Sequence, residues 1–215
     1  MKKPVSSSSI FSVQERRLLR TLSSPYKIQE YLDSIEYSDE IRYRSPRTVL
    51  RNSKAHCYDG AVFAAAALKL IGYEPLLIEL LPNDNDDDHI IAPFKRFGNW
   101  GAIAKSNFVG LRYREPVYRN IRELVMSYFE SYFNVKRERT LRGYTAPLNL
   151  SRFNSLQWII NDSALDAIAD ALDCQRRFSI ISRQCIKNLA IVDQRSYTAG
   201  LLGAKISGLY KPQKG

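Results

Sequence analysis

The chain has 215 residues, 45% of them hydrophobic and 25% charged, with 32 lysines and arginines against 22 acidic residues for a formal net charge of +10. Cores divide into separate domains only beyond roughly 250–300 residues, so this length suits one core that folds without disulfide or metal, and its apolar content excludes disorder over most of the chain. The most apolar run, residues 61–71 (AVFAAAALKLI), carries Lys69 and falls well short of the ~20 residues a membrane-spanning helix needs.

The opening MKKPVSSSSIFSVQ has no apolar segment or cleavage pattern of a secretory signal, and residues 1–12 are expected as a flexible tail. Ser12 or Val13 opens a helical pattern through Leu18, Leu19 and Leu22, which Ser23-Ser24-Pro25 closes. Residues 27–35 place Ile28, Tyr31, Leu32 and Ile35 on one helical face. IRYRSPRTVLRNSKAHC then reads as an extended, proline-punctuated approach to Cys57. A helix resumes near Tyr58 and runs to Ile71, with Gly72 as its C-terminal cap. Its four consecutive alanines favour helix and permit close packing, so it is expected to be central and buried.

Three strands follow, over residues 74–81, 89–97 and 100–105. The acidic loop PNDNDDD joins the first two and a tight turn at Gly98-Asn99 joins the last two, which predicts an antiparallel meander. PNDNDDD lacks the glycine and distal glutamate of an EF-hand, so it reads as a solvated hairpin loop. Pro116 opens an amphipathic pattern with Val117, Ile121, Leu124, Val125, Tyr128 and Tyr132 at helical spacing, which assigns the two tyrosines to the core rather than to base stacking. Residues 156–172 and 179–197 read as helical. The order defines an α+β fold, with a core over residues 13–150 and a C-terminal helical extension over residues 151–215 packed on it.

The charge is uneven. Residues 1–54 carry 11 basic and 6 acidic side chains, residues 55–110 carry 4 and 7, and residues 111–215 carry 17 and 9. Basic flanks of this kind suit nucleic acid, anionic lipid or an acidic partner protein, but no nucleic-acid-binding motif and no membrane segment accompanies them. Arg112, Arg114 and Arg119 are placed to line a cleft entrance that would take acidic side chains or a C-terminal carboxylate. Cys57, Cys174 and Cys185 form an odd set without a CxxC, which fits a reducing cytoplasm. With two histidines and no four-ligand spacing, neither a metal nor another cofactor is expected.

Cys57 stands where the loop becomes the central helix. Unpaired amides and the helix dipole at that end favour a thiolate, lowering the thiol pKa, and offer donors to a substrate oxyanion. Cys174 and Cys185 read as ordinary buried thiols in helical segments. A nucleophilic cysteine needs a base, and His89, which opens a strand able to lie against the helix, suits better than the adjacent His56.

The order of a cysteine at a helix start, a histidine at a strand start and a tryptophan-bearing strand resembles the transglutaminase-like superfamily of papain-like cysteine enzymes. The resemblance runs through HCYDGAVFAAAALKLIGYEPLLIELL and HIIAPFKRFGNWGAIAKSN, over roughly residues 47–107, and the following LRYREPVYRNIRELVMSYFESYFN resembles a bacterial subgroup. It implies Cys57 as nucleophile, His89 as base and a papain-like core with the nucleophile helix on a small antiparallel sheet. The superfamily's aspartate four residues after the tryptophan is Ala104 here, so Asn107 and then Ser106 are the candidates to orient the imidazole, with Asp84, Asp86, Asp87 and Asp88 as nearby carboxylates. The implied activity is hydrolysis or acyl transfer on a peptide or protein amide. An inactive domain of the same fold used for protein binding, and a basic nucleic-acid-binding module, stay open.

Overall fold

The computed structural model describes residues 11–210, so nearly all of the expected tail lies outside the described residues. Helix α1 (Val13–Thr21) starts at a capping box in which Ser12 and Glu15 satisfy each other's backbone amides. Helix α2 (Pro25–Ser34) is capped by Ser24 and buries Ile28 and Leu32. Strand β1 (Glu36–Tyr37) precedes helix α3 (Pro46–Asn52) and pairs in parallel with β2 (Lys54–Ala55). The segment expected to be extended is thus partly helical: Pro46 occupies the first helical turn, where its missing N–H costs nothing, and Ser45 caps it.

Helix α4 (Cys57–Leu70) is buried along nearly its whole length. It ends in a Schellman motif, with Gly72 at φ +93° while the amides of Gly72 and Tyr73 reach the carbonyls of Lys69 and Leu68. The expected meander follows as β3 (Leu76–Leu81), β4 (His89–Arg96) and β5 (Asn99–Ile103), all antiparallel. Strand β6 (Arg114–Tyr118) then pairs with β5 and forms the sheet edge.

Pro116 therefore lies in an edge strand, not at a helix start, beside a register shift between Trp100 and Ala102. Edges and bulges are where a sheet tolerates a residue without an N–H. The expected amphipathic helix is confined to α5 (Ile121–Met126), followed by a 3-10 turn at Phe129–Ser131. Tyr128 and Tyr132 are buried, as their spacing indicated.

Strands β7 (Gly143–Thr145) and β8 (Leu148–Asn149) share the far edge of β3. Helix α6 (Ala164–Asp173) leads to β9 (Arg177–Ser179), which pairs with β7 and completes the sheet order β6-β5-β4-β3-β7-β9. The short helices α7 (Arg183–Lys187) and α8 (Gln194–Gly200) follow, so the helices expected over residues 156–172 and 179–197 are shorter than their patterns indicated, with β9 between them. The architecture is α+β, with α4 packed on an antiparallel sheet.

Two clusters of buried side chains sandwich the sheet. Leu77, Ile90, Ala92 and Phe94 pack with α4, α2 and α6 on one face. Ile78, Leu80, Ile91 and Ala102 pack with α5, Tyr128 and Tyr132 on the other. Because β3 is covered on both faces it reads as a nearly continuous apolar run, LLIELL, with Glu79 as its only polar residue.

Near the start of α4, a Cβ at Gly60 would lie 2.3 Å from the Cβ of Lys105. Lys105 cannot retreat, since its ammonium donates to the carbonyls of Leu32 (2.6 Å) and Ile35 (2.7 Å). Gly60→Ala should therefore cost about 1–3 kcal/mol in urea unfolding. A loss under ~0.5 kcal/mol would show that this approach is not a packing constraint.

Candidate functional site

The first turn of α4 is fixed from three directions. His56 caps it, its Nδ1 accepting from the amides of Tyr58 (3.1 Å) and Asp59 (3.4 Å). Asp59, fully buried, accepts from the Arg44 amide (2.8 Å) and guanidinium (3.1 Å). Tyr58 donates its hydroxyl to the Leu165 carbonyl at 2.7 Å, tying the turn to α6. Two of the amides expected to face a substrate are thus already satisfied by His56. The Cys57 amide, first of the helix, has no intrahelical acceptor.

Cys57 is partly exposed, whereas Cys174 and Cys185, expected to be buried, are exposed. One pocket is lined by Cys57, His89, Ser106 and Asn107 together, with Tyr37 and Tyr132 among its walls. His89 is buried at the start of β4, with Tyr132 edge-on to its ring at 6.4 Å between centroids. Its Nε2 lies 2.8 Å from the Leu111 carbonyl oxygen. A carbonyl only accepts, so Nε2 carries the proton and Nδ1 of the neutral ring is the free acceptor.

Neither side chain expected to orient His89 hydrogen-bonds to its ring. Asn107 Nδ2 donates to the Lys205 carbonyl (2.8 Å) and Asn107 Oδ1 accepts from the Lys205 amide (2.7 Å), which docks the C-terminal segment at the pocket. Ser106 Oγ accepts from the Phe108 amide at 3.0 Å. Ala104 is buried in the second core, its backbone held in both directions by the Gln29 amide. The orienting acceptor is the main chain at Leu111, which no side-chain identity announces.

Burial pushes the Cys57 thiol well above its ordinary value, and the carboxyls of Asp88 and Asp87 push it further, against opposing hydrogen bonds from the backbone of Ile90 and Tyr58. The lowered thiol pKa expected from the helix start is therefore reversed. A helix end contributes up to about 1 kcal/mol at most sites, less than the cost of desolvating a thiolate beside two carboxyls. Burial likewise lowers His89 to about 4, despite the favourable Leu111 contact. At neutral pH both groups are uncharged.

The acidic loop is solvated at Asp84, Asp87 and Asp88, as expected, and is also tied down: Thr140 donates to Asp86 (2.5 Å), Tyr132 to the Asp87 carbonyl (2.9 Å) and Asn134 to the Asn85 carbonyl (3.2 Å). Partial desolvation, then repulsion from neighbouring acids, raises Asp87 and Asp88 to about 6, although both residues stay solvent-exposed. Both carboxyls face a second, larger cleft of about 870 Å³ that also opens on Cys57.

The arginines expected at the entrance are engaged elsewhere. Arg112 pairs with Asp33 (3.3 Å), Arg114 stacks on Tyr128 (3.9 Å) and Arg119 pairs with Glu123 (3.1 Å), and none lines this cleft or the Cys57–His89 pocket. Sequence reading missed Glu79 and Asp173 as cleft residues. The lone acid inside LLIELL was the visible signal for the first.

No protein-family model matches the chain, and no curated protein does. Among solved structures the fold is similar, distantly, to LapG from Legionella pneumophila, at 12% identity and a TM-score of 0.40 over 77% of this chain and 89% of that one. The EGTA-treated form of Legionella pneumophila LapG matches at 13% identity and the same TM-score, over 77% and 90% of the two chains. Among the described residues, no helix is long and apolar enough to cross a membrane.

The electrostatics predict that Cys57 alkylates with iodoacetamide more slowly than Cys174 and Cys185 at neutral pH. Replacing Asp87 and Asp88 together by asparagine should speed Cys57 about three- to tenfold, as its pKa falls. An unchanged rate, followed by mass spectrometry, would show that the carboxyls do not act on the thiol.

Proposed function

We propose that the chain is a transglutaminase-like cysteine enzyme acting on amide bonds, with Cys57 as nucleophile and His89 as base. The observation that carries this reading is the single pocket shared by Cys57 and His89, with His89 Nε2 anchored on Leu111 so that Nδ1 is left to take a proton. In the first step the Cys57 sulfur bonds to the substrate carbonyl carbon while the thiol proton passes to Nδ1. The Cys57 amide is the donor offered to the resulting oxyanion. Collapse breaks the C–N bond, and Nδ1 returns the proton to the leaving amine. Water then attacks the thioester with His89 as base, releasing acid and free thiol; an amine in place of water would give a new amide.

A neutral resting pair makes proton transfer part of the attack, instead of a preformed thiolate–imidazolium pair. A second reading, a binding domain that keeps the fold without the chemistry, draws support from the raised thiol pKa and from Ala104 at the superfamily's acid position.

The two readings part on p-nitrophenyl acetate. The enzyme should release one p-nitrophenol per chain in a burst, with the acetyl group on Cys57, and Cys57→Ala should abolish it. His89→Asn should slow acylation by about 10²–10⁴ in a variant whose circular dichroism matches the parent. Because neutral His89 is the active form, the rate should hold as pH falls from neutrality and drop only on approaching about 4. Acetylation confined to Cys174 or Cys185, or a rate indifferent to His89→Asn, would favour the binding domain.

A further inference from the structure

The protein carries +10 overall, yet the large cleft beside Cys57 has the opposite sign. Among its lining residues, Arg42 pairs with Glu40 (3.6 Å), Glu40 also pairs with Lys54 and Arg44, and Asp39 pairs with Lys205. Glu79, Asp87, Asp88, Asp166 and Asp173 have no ion pair to a basic side chain among the described residues. Helix geometry puts Asp166, Ala169 and Asp173 on one face of α6, and that face forms one cleft wall.

Glu79 is the informative member. Its side chain is 4% exposed, yet Oε2 has no hydrogen-bond partner. The β3–β4 register sets Glu79 opposite Ile90, whose backbone approaches the Cys57 thiol. Its carboxyl also lies within hydrogen-bonding reach of Asp88. Glu79 is buried and Asp88 beside it is solvent-exposed, so the pair either shares one proton or faces a cation, because leaving the buried carboxyl charged and unpaired is costly.

We infer that this cleft is a subsite for a cationic side chain, lysine or arginine, of a peptide substrate bound across Cys57. The inference rests on the reading of Cys57 as the reacting group only for the direction of the bound chain. Several observations fit such an occupant. Among the described residues, no three His, Cys, Asp or Glu side chains form a group able to hold a metal ion. Tyr43 and Tyr58, 4.6 Å apart between ring centroids, add aromatic faces that favour organic cations. At the rim the chain already seats one ammonium of its own, as Lys205 Nζ lies 2.9 Å from both Glu36 and Asp39.

Overall charge and cleft charge predict opposite preferences, which makes the test decisive. Fluorescein-labelled peptides of alternating glycine and lysine, and their glycine–glutamate counterparts, would be titrated with the full chain and read by fluorescence anisotropy. Cys57→Ala would serve as a second titrant, so that binding is read without covalent chemistry. The lysine peptide should bind at least about tenfold more tightly despite the +10 protein, and Asp166→Asn with Asp173→Asn should remove about tenfold of that affinity. These two positions lie on the exposed face of α6, and Glu79→Gln provides a second, independent variant on β3. Equal or tighter binding of the glutamate peptide, or lysine-peptide affinity unaffected in both variants, overturns the inference. Failure of p-nitrophenyl acetate to acylate Cys57 bears on the catalytic reading alone.

Discussion

The buried ion pair between Arg44 and Asp59 is the interaction on which the site depends. Arg44 is 1% exposed and Asp59 is fully buried, and the guanidinium and backbone amide of Arg44 occupy both oxygens of the carboxylate. Removing one partner of such a pair typically costs about 3–5 kcal/mol, because the survivor is left charged and desolvated. Asp59 belongs to the first turn of α4, two residues beyond Cys57. The segment carrying Arg44 is itself clamped, since Asp162 accepts from the Ser45 amide (2.9 Å) and the Thr48 hydroxyl (2.7 Å). The pair and the His56 cap together hold the thiol at one place against β4, in the middle of the sheet.

Electrostatically the site works against its ground state. A helix start stabilises a thiolate, but burial beside Asp87 and Asp88 outweighs that, and burial of His89 keeps the imidazole neutral. On the proposed function, charge separation between sulfur and ring would follow only once a substrate displaces water and changes the charge in the acidic cleft. A cationic substrate side chain near Glu79, Asp87 and Asp88 would neutralise the field that holds the thiol protonated, so binding and activation would be linked through the same carboxyls. A basic exterior around an acidic cleft would also orient such a peptide by sign, at a range set by ionic strength.

Much of this was legible in the sequence where local rules and tertiary context agree. The alanine run, Gly72 and the turn at Gly98-Asn99 located α4 and the β3–β4–β5 meander, and Cys57 and His89 stood out as the boundary residues that share a pocket. Proline misled twice. Pro46 starts a helix and Pro116 sits in an edge strand, and the residue alone does not say which tolerated setting it occupies. Asn107 offered the right chemistry for orienting an imidazole, but its amide is bound to the backbone of Lys205, a partner 98 residues away. The Leu111 carbonyl was invisible, since every residue has one. The thiol's direction of shift was likewise hidden, because it depends on how closely the acidic loop is drawn toward α4.

Nitrogen-15 NMR of the His89 ring tests the central claim most directly. The account predicts a neutral ring protonated at Nε2, with an unprotonated Nδ1 whose shift changes in Cys57→Ala, and titration near 4. A ring protonated at Nδ1, or one that titrates near the ordinary ~6.5 of an exposed histidine and is unaffected by Cys57→Ala, would contradict it.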